Sequence, residues 1–293
     1  LMEYDTTKVP PRWGEDHLLP RMPDGRGFMA GVLGPGGTIY KVSPDGKNWE
    51  VICTGFRNQF DAAFNKLGDL FTYDADMEWD VNTPWYRPTR VCQALSGVDF
   101  GWRNGAGKWP AHYPDSMGAV VNVGPGSPTG VCFGYGTKFP AKYQDALYIC
   151  DWTFGTMYAI HMKPEGASYR AEKEEFVART PLPLTDVAIG PDGAMYVLDF
   201  YTPVVAHNDT RGPMHSKSGA SVRPDREHYF GRIYRIQHDS APKLAIPDLS
   251  KADVAGLVAA FSHPNKVVRF NALRVLMERE PGLLASAVGP LAT

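Results

Sequence analysis

Short apolar runs, each followed by a turn, recur along most of the chain. In three places an apolar run, a turn and a second apolar run ending in aspartate follow one another. Runs of this length bounded by turn residues are typical of paired β-strands. The three predicted pairs are residues 61–65 with 70–74, 130–134 with 146–151, and 186–190 with 194–199.

A second short pattern, glycine followed by an alternating apolar strand, lies between or beside these pairs. It occurs at residues 37–42, 155–160 and 231–236, and turns at 43–46 and 163–166 follow the first two. Repeated strand–turn–strand units predict a mainly β fold, a β-propeller with about four blades in this chain. A sandwich or barrel is the structural alternative, but it does not explain why the same short motifs repeat.

The pattern changes from strands to helices after residue 240. Residues 241–243 read as a linker, and Ser250 with Asp253 three residues later is a candidate helix cap. Apolar residues then recur at helical spacing in two runs separated by His263-Pro264-Asn265. The expected buried face consists of Val258, Phe261, Leu273 and Leu276. We therefore predict a propeller over residues 1–240 and the start of HEAT-like helical repeats over 241–293.

Composition narrows the class of protein but does not identify its chemistry. The chain has 293 residues, 43% of them hydrophobic, enough for a sizeable core. A formal net charge of -2 gives no electrostatic argument for nucleic acid or an anionic membrane. The four cysteines lack CxxC spacing, which excludes a zinc ribbon or c-type haem attachment within this sequence, and we expect buried free thiols at Cys132 and Cys150.

An acidic cluster follows the second predicted strand. Its members, four acids within seven residues, are Asp74, Asp76, Glu78 and Asp80. Calcium prefers carboxylate and carbonyl oxygens in irregular loops, so a metal site is one interpretation. A second is internal neutralisation by Arg57, Arg87 or Arg90, and a third is a solvated acidic turn with weak surface ion pairs.

Two long irregular stretches, 80–120 and 200–229, combine aromatic with charged residues, as functional loops do and disordered segments do not. The second stretch supplies further candidates. Histidine is the commonest general base, so His207 and His228 are candidate catalytic residues, although a lone loop histidine is more often structural. Arg223 and Arg226 are candidates for binding an anionic cofactor, with pairing to Asp225 and Glu227 as the alternative.

Ordered motifs give a family resemblance that covers nearly the whole chain. Residues 55–65, GFRNQFDAAFN, resemble the GxRNxxxxAF signature of the soluble glucose/sorbosone dehydrogenase propellers. VDFGW at 98–102 is similar to their NYGWP segment, and 186–200 resemble their PDGxLYVxD blade. Residues 55–91, 139–152 and 226–236 resemble a planctomycete-type "membrane-bound dehydrogenase" subgroup, in which HEAT repeats and often a CxxCH haem domain follow the propeller.

The resemblance implies a six-bladed propeller whose early blades precede this sequence, with pyrroloquinoline quinone (PQQ) and calcium as cofactors. It implies oxidation of an aldose or related carbohydrate, with electrons passing to a haem domain or another acceptor, in the bacterial periplasm or elsewhere outside the cytoplasm. Arg57 would stabilise charge on the reduced quinone, Asn58 would orient cofactor or substrate, and the acidic cluster would bind calcium. A non-catalytic propeller that binds a glycan or protein is the alternative function.

Two departures from the family pattern qualify this expectation. The family's acid-His-Gly-Pro calcium segment is replaced here by the acidic cluster, and no histidine matches the family's general base. Strand order nevertheless predicts where the candidate residues meet. Arg57 and Asn58 precede one strand and the acids follow its antiparallel neighbour, so both should lie at the same edge of their sheet.

Overall fold

The computed structural model describes residues 36–78, 86–102, 112–178, 183–200, 230–242 and 244–283. Within these ranges the chain is mainly β. The strands are β1 (Gly37–Val42), β2 (Trp49–Phe56), β3 (Ala62–Phe64), β4 (Leu70–Asp74), β5 (Met77–Glu78), β6 (Tyr86–Arg87), β7 (Thr89–Gln93), β8 (Val98–Asp99), β9 (Val121–Gly124), β10 (Pro128–Phe133), β11 (Leu147–Asp151), β12 (Thr156–Glu165), β13 (Ser168–Ala178), β14 (Leu184–Ile189), β15 (Met195–Asp199) and β16 (Arg232–Ile236). The α-helices are α1 (Ala141–Gln144), α2 (Val254–Ala259) and α3 (Lys266–Arg279).

The strands form meandering sheets. In the described part of the chain two are four-stranded, with orders β3-β4-β7-β9 and β10-β11-β12-β13, and two are three-stranded, β1-β2-β8 and β14-β15-β16, beside a small β5-β6 ribbon. Pairing is antiparallel except between β2 and β8. The three strand pairs predicted from sequence are confirmed as β3 with β4, β10 with β11, and β14 with β15.

Each larger sheet packs against the next in chain order. Phe71 and Tyr73 of β4 share a core with Val131 of β10, and that sheet's other face shares a core with β14 and β15. Two hydrogen bonds join the first strands of three consecutive sheets near the points where these strands begin. Asp61 Oδ2 accepts from the Val131 amide at 2.8 Å, and Thr129 Oγ1 donates to the Leu184 carbonyl at 2.8 Å. The strands β3, β10 and β14 are therefore neighbours. The residues that precede them, and the ends of β4, β11 and β15 beside these residues, lie at one edge of the stacked sheets, which we call the entry edge.

The hairpin β12–β13 is longer than the sequence predicts. We expected a turn at 163–166, but β12 continues to Glu165 and the chain reverses at Gly166, whose φ is +61°. Pro164 lies opposite Tyr169, near the hairpin's end. Proline lacks an N–H donor and is tolerated near such a strand end, so it did not stop the strand.

The helical segment begins later than the predicted cap. The first helix, α2, is capped by Asp253, whose Oδ1 accepts from the Gly256 amide at 2.8 Å, whereas Ser250 is bonded to Asp248 upstream. The cap prediction was therefore wrong by three residues. A side chain that can reach the third amide beyond itself caps a helix, and here the second acid of the pattern has that position.

Asn265 joins the helices to the sheets. Its side-chain oxygen accepts from the Val267 amide at 2.8 Å and caps α3. Its Nδ2 donates to the carbonyls of Gly190 and Gly136, at 2.9 and 3.3 Å, in the loops beyond β14 and β10. Asn265 is fully buried, so one side chain both starts the helix and fixes it against the β-sheets.

The buried helical face is offset from the expected one. Leu276 is buried as predicted, but Val258, Phe261 and Leu273 are only half-buried. The fully buried positions are Leu257, Val268, Ala272 and Leu276. In α3 the buried residues recur every four positions, a row that Leu273 borders without belonging to it, and in α2 the buried residue is Leu257, one position before Val258. The HEAT assignment and the 240/241 boundary stay predictions. No helix in the described ranges is long and apolar enough to span a membrane.

Candidate functional site

The candidate site begins with the turn that leaves β2. Gly55 has a φ of +84°, and a Cβ there would collide with the Asp99 carboxylate and approach the Phe100 amide. Only glycine allows both the left-handed conformation and this close approach. The Trp102 and Phe100 amides donate to the carbonyls of Gly55 and Thr54, each at 2.8 Å. The motif glycine therefore joins the loop at 55–58 to the segment at 98–102.

Asp74 organises the next layer of the site. Its Oδ1 accepts from the backbone amides of Arg57 and Asn58, at 3.0 and 2.9 Å. Its Oδ2 accepts from Arg90 Nη2 at 2.9 Å and Nε at 3.2 Å. Arg90 lies directly opposite Asp74 across β4 and β7, and their side chains are 9% and 0% exposed. The ion pair is therefore buried and hydrogen-bonded at both carboxylate oxygens.

Phe100 connects this pair to the first motif. Its ring stacks on Phe56, with centroids 4.5 Å apart and planes inclined by 23°. The Arg90 guanidinium carbon lies 5.7 Å from the Phe100 centroid. An arginine over an aromatic face gains electrostatic attraction to the ring. Three motifs that are far apart in sequence thus meet around one aromatic ring.

Positive charge is concentrated here. The half-buried Arg57 side chain makes no hydrogen bond or ion pair with the described residues, although its amide is held by Asp74. Burial, and after it the charge of Arg90, lowers the pKa of Arg87. With the Asp74 charge already matched by Arg90, Arg57 adds a cationic group suited to an anion.

A pocket of about 350 Å³ opens beside Arg90. Arg87, Arg90, Phe100 and Asn122 contribute side chains to its wall, and the 116–119 segment closes the other side. Pockets that bind small molecules commonly combine an aromatic surface with a few converging polar groups. The arginines favour a negatively charged ligand, and Phe100, which is 2% exposed between Phe56 and Arg90, supports the pocket wall.

Calcium does not fit at Asp74. Both carboxylate oxygens are already bound to N–H donors, and Arg90 balances the charge. Of the predicted alternatives for the acidic cluster, internal neutralisation by arginine describes this residue. Asp76 is half-buried, and Glu78 pairs through its backbone in β5. Among the described residues, no three His, Cys, Asp or Glu side chains are grouped to hold a metal ion.

Of the remaining candidates predicted from the sequence, the structure describes Asn58 but not most of the others. Asn58 is exposed at the entry edge, and its amide is held with that of Arg57 by Asp74. The side chain of Glu78 and five further candidates lie outside the described residues. Those five are Asp80, His207, Arg223, Arg226 and His228.

Sequence reasoning did not single out one buried acid on the same edge. Asp151 ends β11 as Asp74 ends β4, and it is fully buried. Its Oδ1 accepts from the amides of Ser127 and Thr153, both at 2.9 Å. The signal was present in the repeat itself, since each predicted pair of strands ends in aspartate.

With this geometry described, the chain can be compared with known proteins. A family model described as a domain of unknown function, DUF7133, matches residues 29–240. The chain belongs to this DUF7133 family. The matched range includes all of the sheets and the whole candidate site. No curated protein matches the chain.

Solved structures with some likeness carry names of sugar dehydrogenases. A Thermus thermophilus protein named as a putative oxidoreductase (glucose dehydrogenase) is 18% identical over 64% of this chain and 47% of its own, with a TM-score of 0.43. A PQQ-bound aldose sugar dehydrogenase from Streptomyces coelicolor is 16% identical over 56% and 46%, at 0.40. The apo-form soluble enzyme of Escherichia coli is 18% identical over 51% and 44%, at 0.39. The chain spans less than half of each structure, and likeness at this level supports no inference about activity.

Proposed function

We propose that the chain is part of a β-propeller oxidoreductase that uses a quinone cofactor to oxidise a CH–OH group of an aldose or related carbohydrate. The observation that carries the proposal is the pocket lined by Arg87, Arg90 and Phe100, together with Arg57, whose amide is bonded to the same Asp74 carboxylate that Arg90 binds. The four stacked sheets would be consecutive blades of a ring that this chain does not complete.

The donor set fits a quinone of the PQQ type. PQQ is a planar aromatic tricarboxylate, and its carboxylates call for arginine donors. Arg57 would bind a carboxylate or the quinone oxygen, Arg87 would add positive potential, and the buried Phe100 would hold Arg90 at the pocket wall. Bound PQQ would supply a two-electron acceptor for hydride. Asp74 would act indirectly, because it fixes the loop at 57–58 through two backbone hydrogen bonds.

Other parts of the proposal rest on resemblance alone. They are calcium at residues 76–80, a contribution from His207 or His228, cofactor contacts from Arg223 and Arg226, a haem acceptor and a location outside the cytoplasm. A general base is the largest missing part of the proposed mechanism. No described histidine lies at the entry edge to supply it.

Binding of PQQ by the 293-residue chain tests the proposal directly. We expect tryptophan fluorescence to be quenched as PQQ is added, and Arg57→Met to weaken binding about 10- to 100-fold, as for loss of a charge-assisted hydrogen bond. Arg57→Lys keeps the charge but loses the planar donor fork, so its affinity should lie between the two. Arg274→Met, which removes an exposed arginine from α3, is the matched control and should leave affinity unchanged.

Two results would refute the proposal. One is absence of PQQ binding by the wild-type chain, with or without calcium, and the other is equal affinity in Arg57→Met and Arg274→Met. Dye reduction with aldoses then tests catalysis, since binding alone does not establish it.

A carbohydrate-binding propeller without redox activity is the second candidate, favoured by two exposed rings. Phe60 and Phe154 are 69% and 50% exposed, and both lie in loops of the entry edge. Exposed aromatic rings at a shared edge are candidates for contact with sugar rings. Binding of an oligosaccharide that Phe60→Ala weakens, without any PQQ binding, would favour this candidate.

A further inference from the structure

The repeated aspartates at the entry edge are not balanced in the same way. Asp74, Asp151 and Asp199 each end the second strand of a sheet and are each buried. Strand register defines the residue facing each one on the third strand. Those residues are Arg90, Thr156 and Arg232 respectively.

In two sheets the facing residue supplies a positive charge. Arg90 binds Asp74 at 2.9 Å, and Arg232 Nη1 lies 3.8 Å from Asp199 Oδ2. In the sheet β10-β11-β12-β13 the facing residue is Thr156, which has no charge. Arginine occupies this register position in the other two sheets, so the uncharged threonine is particular to β10-β11-β12-β13, which we call the middle sheet.

The carboxylate of Asp151 consequently has no cationic partner in the part of the chain that the structure describes. Its Oδ1 accepts two backbone hydrogen bonds, but its Oδ2 is buried and has no hydrogen-bond partner among the described residues. A Cβ on Gly126 would collide with this oxygen, so the loop before β10 closes over it. An isolated carboxylate in such surroundings is strongly disfavoured in its charged form.

Titratable neighbours of Asp151 do not provide the missing charge. Tyr73 of β4 and Tyr158 of β12 are neighbouring phenols, and burial, followed by the negative charge that Asp151 would carry, raises the pKa of both. Cys150, the preceding residue, is a buried thiol whose pKa is also raised, chiefly by burial. Burial likewise raises the pKa of Asp151, although the amides of Ser127, Thr153 and Phe154 act in the opposite direction.

We infer that the cation that balances Asp151 is a proton, so that this residue is a carboxylic acid at neutral pH while Asp74 is an arginine-bound carboxylate. Asp151 Oδ2 is shielded from solvent, and Gly126 approaches it so closely that a Cβ there would collide with it. Asp151 is thus a proton-binding site at the entry edge. Its charge state is coupled to the loops that lead into β10 and out of β11, whose amides it holds. The inference does not depend on the proposed dehydrogenase activity.

An isosteric substitution separates the two kinds of aspartate. Asparagine resembles a neutral carboxylic acid, so Asp151→Asn should change the melting temperature of the 293-residue chain at pH 7 by about 2 °C or less, or raise it. Asp74→Asn leaves Arg90 buried without its counter-charge, and should lower the melting temperature by about 10 °C. A fall in Asp151→Asn as large as that in Asp74→Asn would overturn the inference.

Infrared spectroscopy observes the proton directly and does not depend on the variants' stability. The wild-type chain at pH 7 should show the C=O stretch of a buried, protonated carboxyl, shifted in D₂O. The band should disappear in Asp151→Asn and persist in Asp74→Asn. Absence of the band in wild type, or its persistence in Asp151→Asn, would overturn the inference. So would a melting temperature that falls with chelator in wild type but not in Asp151→Asn, since a metal ion would then be the balancing cation.

Discussion

The two four-stranded sheets both pair their strands in chain order and both bury an aspartate at the end of the second strand, but the residue opposite that aspartate differs. In β3-β4-β7-β9 the terminal aspartate faces Arg90, and in β10-β11-β12-β13 it faces Thr156. Both aspartates hold the loop that enters their sheet by backbone hydrogen bonds. The backbone role is therefore common to the repeat, whereas the electrostatic role depends on a single residue of the third strand.

This difference separates structural and chemical functions of the repeat. An aspartate that only fixes an entry loop works with or without a proton, since one oxygen accepts the amides in either state. The aspartate that is paired with arginine also holds Arg90, which lies over Phe100 and lines a pocket. The sheet that carries the arginine is thus the one with the features of a ligand site.

The largest expected effect is loss of the Asp74–Arg90 pair. We expect Asp74→Asn to reduce the free energy of unfolding by about 3–5 kcal/mol, because Arg90 is left charged in a buried position. Urea denaturation at pH 7 measures the change. Glu50→Gln breaks the exposed Lys41–Glu50 pair, with side chains 73% and 60% exposed, and should lose less than about 1 kcal/mol. Equal losses in the two variants would contradict the buried-pair assignment.

Whether a feature of the fold or the site could be predicted from the sequence depends on how far apart along the chain the interacting residues lie. The strand pairs and their terminal aspartates were predictable, because adjacent runs and tight turns are local signals. The meeting of Arg57 with Asp74 also followed from strand order, although its meaning for function stays a prediction. The choice between calcium and arginine at Asp74 did not, because Arg90 reaches Asp74 only through the register of β4 and β7.

The surroundings of Asp151 in the middle sheet also could not be predicted from the sequence. Nothing in the residues around Asp151 indicates that its oxygen lacks a partner, since this depends on Thr156 across the strand and on Gly126 above it. In the helical part, spacing predicted two helices correctly but misplaced the cap and the buried face. Docking through Asn265 to two glycine carbonyls is a long-range contact that helical periodicity does not encode.

An arginine opposite Asp151 in the middle sheet, introduced as Thr156→Arg, should change stability by an intermediate amount and reverse the direction in which stability depends on pH. Because the pKa of Asp151 is raised in the folded state, the wild-type chain should lose stability as pH rises above about 3.9, the usual aspartate pKa. The loss in the free energy of unfolding is up to about 1.4 kcal/mol per pH unit. In Thr156→Arg the carboxylate gains a partner and its pKa should fall below the unfolded value. Stability should then increase as pH rises through about 4.

The control for this variant is Thr156→Met, which fills similar space without charge. The unfolding free energies of the two variants, measured by urea denaturation between pH 3.5 and pH 6 (about the range in which an ordinary aspartate titrates), should diverge as pH rises. Parallel curves would mean that the arginine does not reach Asp151, or that Asp151 is already ionised in the wild type.

The smallest effect is expected at the outer end of the middle sheet, where charges are exposed. Glu174 of β13 accepts from His161 Nε2 at 2.8 Å and from the Tyr143 hydroxyl at 2.9 Å. These bonds, His161 first, lower the pKa of Glu174 to about 2. A depressed pKa gives stability that is present above about pH 4.5, the usual glutamate value, and is lost as pH falls toward 2. Because the side chain is 37% exposed, solvent screening should limit the loss to about 0.5–1 kcal/mol. Glu174→Gln should lack this acid-dependent loss, whereas Glu175→Gln, which removes an exposed charge next to it, should retain it. If the two variants respond alike to acid, the His161–Glu174 bond contributes nothing measurable to stability.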